Sequence, residues 1–119
     1  MSEQQRESEE LFIEGAAAGS VSQYAAFVAK VQGMQPADKA NLVSRLVGAN
    51  GNTYVYVLQS ELKGVGAYEG KLTGVLTGAT IRAFNQFCDQ RNRAALCRAG
   101  PLSRPARDVF LDFMRETNS

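Results

Sequence analysis

Histidine and tryptophan are absent from the 119 residues, and cysteine occurs only twice. Without histidine the chain lacks the commonest general base, the usual partner of a catalytic serine or cysteine, and the usual ligands of catalytic zinc. Two cysteines without further soft ligands do not make a four-ligand zinc site. The composition therefore argues against most hydrolytic mechanisms, and we expect no metal and no other cofactor.

Long apolar runs are also missing, because no stretch approaches the roughly 20 apolar residues that a membrane-spanning helix needs. The 45% of hydrophobic residues nevertheless suffices for the core of one compact domain. Charge of one sign does not dominate, since 13 basic and 12 acidic side chains give a formal net charge of +1. No overall field favours nucleic acid or an anionic surface. We expect neither nucleic-acid binding nor membrane insertion.

The first residues, MSEQQRESEE, have neither the basic start nor the apolar run of a secretory signal peptide. We therefore expect a periplasmic or cell-envelope location if an export signal has been removed, and otherwise a cytoplasmic or virion-associated one. Residues 1–19 are predicted to be a polar N-terminal segment. Its alanine-rich end permits a helix, although Gly15 and Gly19 weaken it.

Residues 20–49 are predicted to form a helical hairpin. A capping box opens at Ser20, and behind it apolar residues recur at steps of three and four, which predicts a helix over about 21–32. Pro36 opens a second helix, which we expect to end at Gly48.

Residues 50–119 are predicted to form a second unit of three helices. We expect its first helix to be capped at Asn52. Residues 53–62 alternate as a strand does, but the apolar spacing and the helix-forming residues that follow favour a helix. Five glycines between residues 63 and 78 predict a tight irregular loop, after which Thr77 caps the next helix.

The last part of the chain is predicted to fray near residues 89–92, to make a short turn over residues 94–98, and to start a final helix at Ser103. The sequence therefore predicts an all-α fold. A helical hairpin packs on a three-helix unit that carries a glycine-rich loop.

Between Val57 and Phe87, leucines, glycines and polar residues follow a specific pattern, without a gap from Gly66 onward. The members of this pattern are Leu58, Gln59, Leu62, Gly66, Tyr68, Gly70, Leu72, Gly74, Leu76, Thr80, Ala83 and Phe87. The pattern resembles the peptidoglycan-binding repeat of the three-helix type, which occurs in bacterial wall hydrolases, lytic transglycosylases and phage endolysins. The chain departs from the repeat at Thr73, where aspartate is usual, and at Cys88, where glutamine is usual.

The resemblance implies noncatalytic binding of bacterial cell-wall peptidoglycan, through its glycan or its stem peptide, as a targeting or anchoring module. It implies a groove at the glycine-rich loop. Because the residues next to Tyr68 include no large apolar side chain, we expect Tyr68 to be an exposed aromatic platform there. The alternative is that Tyr68 folds over Leu72 and Phe87 to close the core. The ligand-binding residues expected there are Gln59, Tyr68, Gly70, Thr73, Gly74 and Thr80.

An alternative is a protein-interaction or structural component of an envelope, secretion or phage assembly, which keeps the scaffold without the wall ligand. In that interpretation the N-terminal hairpin contacts a protein partner, and Tyr24 and Phe27 are the candidate anchors.

Two cysteines that bracket a short turn also occur in variants of this repeat, so the resemblance implies a disulfide between Cys88 and Cys97. One unbroken helix would place the two residues on opposite faces, because they are nine positions apart. A bridge therefore requires a helix break between Asp89 and Ala95. Two buried free thiols are the alternative.

Carboxylate catalysis is the remaining hydrolytic option, since glycan cleavage uses two acids across a cleft. Glu61 and Glu69 flank the glycine-rich loop and are the only candidates near the expected groove. We interpret both as solvated surface charges. The sequence thus predicts a binding module without catalytic residues.

Overall fold

The computed structural model describes residues 2–116, and within that range the chain forms six α-helices and one short 3₁₀ helix, without a β-strand. The α-helices are α1 (Glu3–Ala17), α2 (Val21–Val31), α3 (Pro36–Ala49), α4 (Gly51–Gly64), α5 (Gly78–Gln90) and α6 (Arg104–Glu116), and the 3₁₀ helix is Ala94–Cys97. The predicted all-α class is confirmed. The outer ends of two predicted segments, residue 1 and residues 117–119, lie outside the described residues.

Most of the predicted polar N-terminal segment is the helix α1. The Ser2 hydroxyl caps this helix by accepting a hydrogen bond from the backbone N–H of Gln5 at 3.2 Å. A Cβ atom at Gly15 would lie 2.8 Å from the ring of Phe27, so the close approach of α1 to α2 requires glycine there. The apolar residues of α1 that pack against the core are Leu11, Phe12 and Ala16.

Helices α2 and α3 occupy the segment predicted as a hairpin, with ends within a residue of those predicted. They do not pack mainly on each other as a hairpin would, because α1 and α4 lie against both of them and α6 lies against α3. The expected cap is present, since the Ser20 hydroxyl accepts a hydrogen bond from the backbone N–H of Gln23 at 3.3 Å. Tyr24 and Phe27 are both buried, which removes them as surface anchors for a partner. Tyr24 packs against α4, where its ring lies 5.6 Å from the ring of Tyr56, measured between ring centroids.

Helix α4 runs through the middle of the molecule, and every residue from Thr53 to Gln59 is buried. A helix that is buried on all sides needs no amphipathic pattern, which explains why its sequence also resembles a strand. Its cap is Asn50, not the predicted Asn52: the Asn50 Oδ1 accepts from the backbone N–H of Thr53 at 3.3 Å. The Asn52 side chain instead donates to the carbonyl of Gly74 at 3.0 Å.

Asn50 also joins two helices. Its side-chain amide donates to carbonyls at the C-terminal end of α1, at 3.1 Å to Ala16 and 2.7 Å to Ala18. These carbonyls have no partner further along their own helix, so one side chain satisfies the end of α1 and the start of α4.

The helix break between the cysteines is confirmed, because α5 ends at Gln90 and Asn92 adopts a φ of 60°. Cys88 and Cys97 form a disulfide with an S–S distance of 2.07 Å. The backbone N–H of Arg93 donates to the carbonyl of Cys88 at 2.8 Å and turns the chain back towards α5. The disulfide therefore fixes the turn that leads into α6.

Helix α6 closes the core by packing against α3 and against α5. Its Phe110 meets Tyr54 edge to face at 5.9 Å, and its Phe113 meets Phe87 in the same way at 5.0 Å, both between ring centroids. Helices α2 and α3 and the C-terminal helices thus share one hydrophobic core. No helix among the described residues is long and apolar enough to cross a membrane.

Candidate ligand-binding groove

The glycine-rich loop joins α4 to α5 and begins with a tight helix end. The backbone N–H groups of Ala67 and Tyr68 both donate to the carbonyl of Leu62, at 2.8 and 3.2 Å. Gly66 has a φ of 80° and Gly74 a φ of 78°, a left-handed backbone that favours glycine. The glycines of the loop therefore set its path at two of their positions.

Gln59 holds the loop from inside the molecule. Its Oε1 accepts hydrogen bonds from the backbone N–H groups of Thr73 and Gly74, both at 2.9 Å. Its Nε2 donates to the hydroxyl of Thr80 at 2.9 Å and to the carbonyl of Val75 at 3.1 Å. The Gln59 side chain, which is 0% exposed, thereby ties the loop to α4 and α5.

The structure brings the predicted ligand-binding residues together, mostly as an internal network. Gln59, Thr80 and Gly74 are buried, and the Thr73 hydroxyl accepts from the backbone N–H of Val75 at 3.1 Å. We therefore assign Gln59 and Thr80 the role of positioning the loop. In this conformation neither side chain offers a surface to a ligand.

The exposed platform predicted at Tyr68 is wrong, because only 6% of this residue is exposed. Its hydroxyl donates to the carbonyl of Lys71 at 2.7 Å. The ring folds back over Gly70, where an added Cβ atom would lie 2.5 Å from the phenol oxygen. The absence of a side chain at residue 70 makes room for Tyr68 to join the core.

An open groove of about 450 Å³ lies between this loop and α5. The loop supplies one wall and the exposed face of α5 supplies the other. The residues that line it are Gly66, Ala67, Tyr68, Glu69, Gly70, Ala79, Arg82, Ala83 and Gln86. A groove at the glycine-rich loop is thus present, with Tyr68 and the loop backbone in its wall, whereas Gln59 lies beneath it.

Arg82 and Gln86 are groove residues that the sequence analysis did not identify. They lie on α5 at spacings of three and seven from Ala79, which places all of them on one face of the helix. A helical wheel shows this face, but nothing in the sequence indicates that the loop lies beside it. Only the packing of the loop on α5 turns that face into a wall.

The two candidate acids, Glu61 and Glu69, lie in different surroundings. Glu61 forms an ion pair with Lys39 of α3, with 2.8 Å between Lys39 Nζ and Glu61 Oε1. Glu69 lines the groove. Within residues 2–116, no group of at least three acidic or cysteine side chains comes together as a possible metal site.

A larger groove of about 770 Å³ lies between α1 and the turn that joins α2 to α3. Polar side chains of α1 make up much of its lining. The Gln4 amide of α1 donates a hydrogen bond to the Asp38 carboxylate of α3 at 2.8 Å, which joins the two sides of the groove. It contains no residue of the peptidoglycan-binding pattern. The groove at the glycine-rich loop is therefore the candidate functional site.

Comparison with known protein families, curated proteins and solved structures gives no match to this chain. Its function is therefore inferred from its residues and their geometry.

Proposed function

We propose that this chain is a noncatalytic module that binds bacterial cell-wall peptidoglycan in the groove between the glycine-rich loop and α5. The observation that carries this proposal is the groove itself, since residues of the peptidoglycan-binding pattern build its loop wall. That wall is held by the backbone N–H groups of Ala67 and Tyr68, which donate to the carbonyl of Leu62, and by the Tyr68 hydroxyl, which donates to the carbonyl of Lys71. A wall that is already ordered loses little conformational freedom when a ligand binds.

The chemistry of the groove suits a polar polymer. Arg82 and Gln86 offer hydrogen-bond donors from α5, and Glu69 offers acceptors from the loop. The backbone N–H groups of Glu69 and Gly70 bond no other atom within residues 2–116, so they are available to a ligand. Peptidoglycan presents amide, hydroxyl and carboxylate groups that match these donors and acceptors.

Co-sedimentation with purified sacculi tests the proposal. We expect the wild-type protein to sediment with sacculi, and the double substitution Arg82→Ala with Gln86→Ala to weaken binding on the order of tenfold, because two polar contacts are lost. The control is Arg6→Ala, which removes an exposed arginine of α1, a helix that packs on α2 and α3 and lines no part of this groove. It should bind as the wild type does. A folded wild-type protein that stays in the supernatant would contradict the proposal.

Binding is proposed to proceed without cleavage. The ion pair of Glu61 with Lys39 leaves Glu69 as the sole member of the candidate acid pair in the groove. We expect no release of reducing sugar or free amine from sacculi during prolonged incubation. Release that is lost in Glu69→Gln would instead show a hydrolase.

The disulfide supports a location in the cell envelope. Bridges such as Cys88–Cys97 form and persist in oxidising compartments, which include the periplasm and the cell surface. We propose a periplasmic or cell-envelope location on this ground. Alkylation of free thiols in intact cells, followed by mass spectrometry, tests it: two alkylated cysteines would contradict it.

A protein-interaction role is the second candidate, and the disulfide-linked turn favours it. Leu96 is 44% exposed and Leu102 is 39% exposed on this turn. Beside them, Arg93 and Arg98 are exposed and form no ion pair within the described part of the chain. Photo-crosslinking from residue 96 in cells to a protein, together with a failure to bind sacculi, would support this role.

A further inference from the structure

Two opposite charges line the groove without neutralising each other. Arg82 stands on the α5 wall and Glu69 on the loop wall, and no ion pair joins either residue to another part of residues 2–116. We propose that the groove selects a zwitterionic peptide end, with a carboxylate held by Arg82 and an amine held by Glu69. This inference rests on the proposed function and assigns recognition to the stem peptide of the wall, not to its glycan.

Arg82 is placed to receive a carboxylate. A Cβ atom at Gly78 would lie 3.1 Å from Arg82 Nη1, so the guanidinium lies beside the first turn of α5 in space that glycine leaves open. The planar guanidinium presents paired N–H donors that match the two oxygens of a carboxylate. Gln86 stands one turn further along the same face and can donate a further hydrogen bond.

Glu69 is the acidic group of the loop wall. The neighbouring lysine, Lys63, donates from Nζ to the carbonyl of Gly70 at 3.1 Å, and Lys71 is exposed on the loop. Neither lysine forms an ion pair with Glu69 within the described range. The carboxylate of Glu69 is therefore free to accept an amine from a ligand.

This arrangement discriminates between ligands by charge. A neutral glycan can bond Arg82 and Glu69 only through its hydroxyl groups and neutralises neither charge. A ligand with only a carboxylate leaves Glu69 without a partner and brings a like charge close to it. A peptide that carries both groups satisfies both walls. Wall stem peptides provide such groups when they end in a free carboxylate and contain a diamino acid with a free side-chain amine.

Titration calorimetry with synthetic probes tests the inference on the full chain. The reference probe is the N-acetylated tetrapeptide alanyl-isoglutaminyl-lysyl-D-alanine, which carries one carboxylate and one amine. Its matched forms have either an amidated C-terminus or an acetylated lysine, and a chitin tetramer represents the glycan. We expect each modified peptide to bind about five- to tenfold more weakly than the reference, and the tetramer to bind more weakly still.

Charge-removing variants assign each contact to a residue. We expect Arg82→Gln to bind the reference peptide and its C-terminally amidated form equally well. We expect Glu69→Gln to bind the reference peptide and its lysine-acetylated form equally well. Arg6→Gln on α1 is the control and should discriminate as the wild type does. Circular dichroism of each variant checks that the helices are retained.

The outcomes separate this inference from the proposed function. Equal binding of the reference and amidated peptides by the wild type overturns the inference. Sacculus binding without any stem-peptide binding also overturns it, while the proposed function stands. If neither sacculi nor peptides bind to the folded protein, both fail.

Discussion

Among the single residues, one buried glutamine organises the second half of the glycine-rich loop. Gln59 gathers backbone groups from residues 73–75 and the hydroxyl of Thr80, all of them at least 14 positions away in sequence. A buried donor or acceptor that loses its partner costs more than the hydrogen bond itself contributes. The order of residues 73–75 of the loop therefore depends on this side chain.

We expect Gln59→Leu to lower the free energy of unfolding by about 3 kcal/mol, because leucine keeps much of the volume but leaves several buried polar groups unpaired. Urea unfolding measures the change. The control is Gln86→Leu on the exposed face of α5, which should change stability by no more than about 0.5 kcal/mol. Similar small effects at both positions would show that the loop does not depend on Gln59.

Two buried tyrosines provide a matched test of their hydroxyl groups. The Tyr68 hydroxyl donates to the carbonyl of Lys71, whereas the Tyr54 hydroxyl is buried without a hydrogen-bond partner in the described part of the chain. Burial also raises the pKa of Tyr54, because the phenolate is disfavoured away from water.

Removing these hydroxyls should have opposite consequences. We expect Tyr68→Phe to lower the free energy of unfolding by about 1 kcal/mol, since a hydrogen bond is lost. Tyr54→Phe should be neutral or stabilising, because it removes an unpaired polar group from the core. Thermal unfolding of the two variants, each folded as judged by circular dichroism, measures both effects. A clear destabilisation by Tyr54→Phe would indicate a partner for its hydroxyl.

At the scale of the helices, the approach of α1 to α2 and α3 decides how the N-terminal part packs. Gly15 faces the ring of Phe27 and the side chain of Leu46. A Cβ atom built at Gly15 would lie 3.1 Å from Leu46. Arg45 further attaches α3 to α1. It forms an ion pair with Glu9, and its guanidinium carbon lies 3.9 Å from the centroid of the Phe12 ring. A polar helix is held here by a few close contacts.

A pair of glycine substitutions tests this approach. We expect Gly15→Ala to lower the free energy of unfolding by about 1 to 2 kcal/mol, because its methyl group must displace Phe27 or move α1 away. Gly48→Ala in α3 meets nothing within 4 Å and should stabilise by about 0.5 to 1 kcal/mol through helix propensity. The midpoints of urea unfolding report both changes. A stabilising Gly15→Ala would mean that α1 packs more loosely than the structure shows.

At the scale of the whole molecule, the disulfide joins the end of α5 to the turn before α6, so it restrains the way α6 reaches the core. Its two cysteines are 9 positions apart in sequence. In the chain-entropy model a loop of this length stabilises a protein by roughly 2 to 3 kcal/mol.

We expect reduction, or the paired change Cys88→Ser with Cys97→Ser, to lower the free energy of unfolding by that amount. Helical circular dichroism should persist at room temperature, because the shared core of α2 to α6 remains. Thermal unfolding with and without reductant measures the loss, and the serine variant should not respond to reductant. An unchanged unfolding midpoint in reductant would show that the bridge does not contribute to stability.

Several features of the fold could be predicted from sequence because they depend on neighbours along the chain. The cap at Ser20 is predicted from the glutamine three positions on and the cap at Thr77 from its place before a helix, and the structure has both hydrogen bonds. The helices α2 and α3 follow from apolar residues at steps of three and four. The helix end near residues 89–92 is also predicted, and a bridge between the two cysteines requires it.

The helical class, most helix ends and a tight glycine-rich loop can thus be predicted from the sequence, because these follow from local backbone chemistry. Which glycines take a left-handed backbone, Gly66 and Gly74, is seen only in the structure. Tertiary structure decided what depends on contacts between distant residues. It made Gln59 an internal clamp, turned Tyr68 into the core over Gly70, and replaced Asn52 by Asn50 as the cap of α4. It also placed the loop beside the exposed face of α5, and the groove exists only because of that placement.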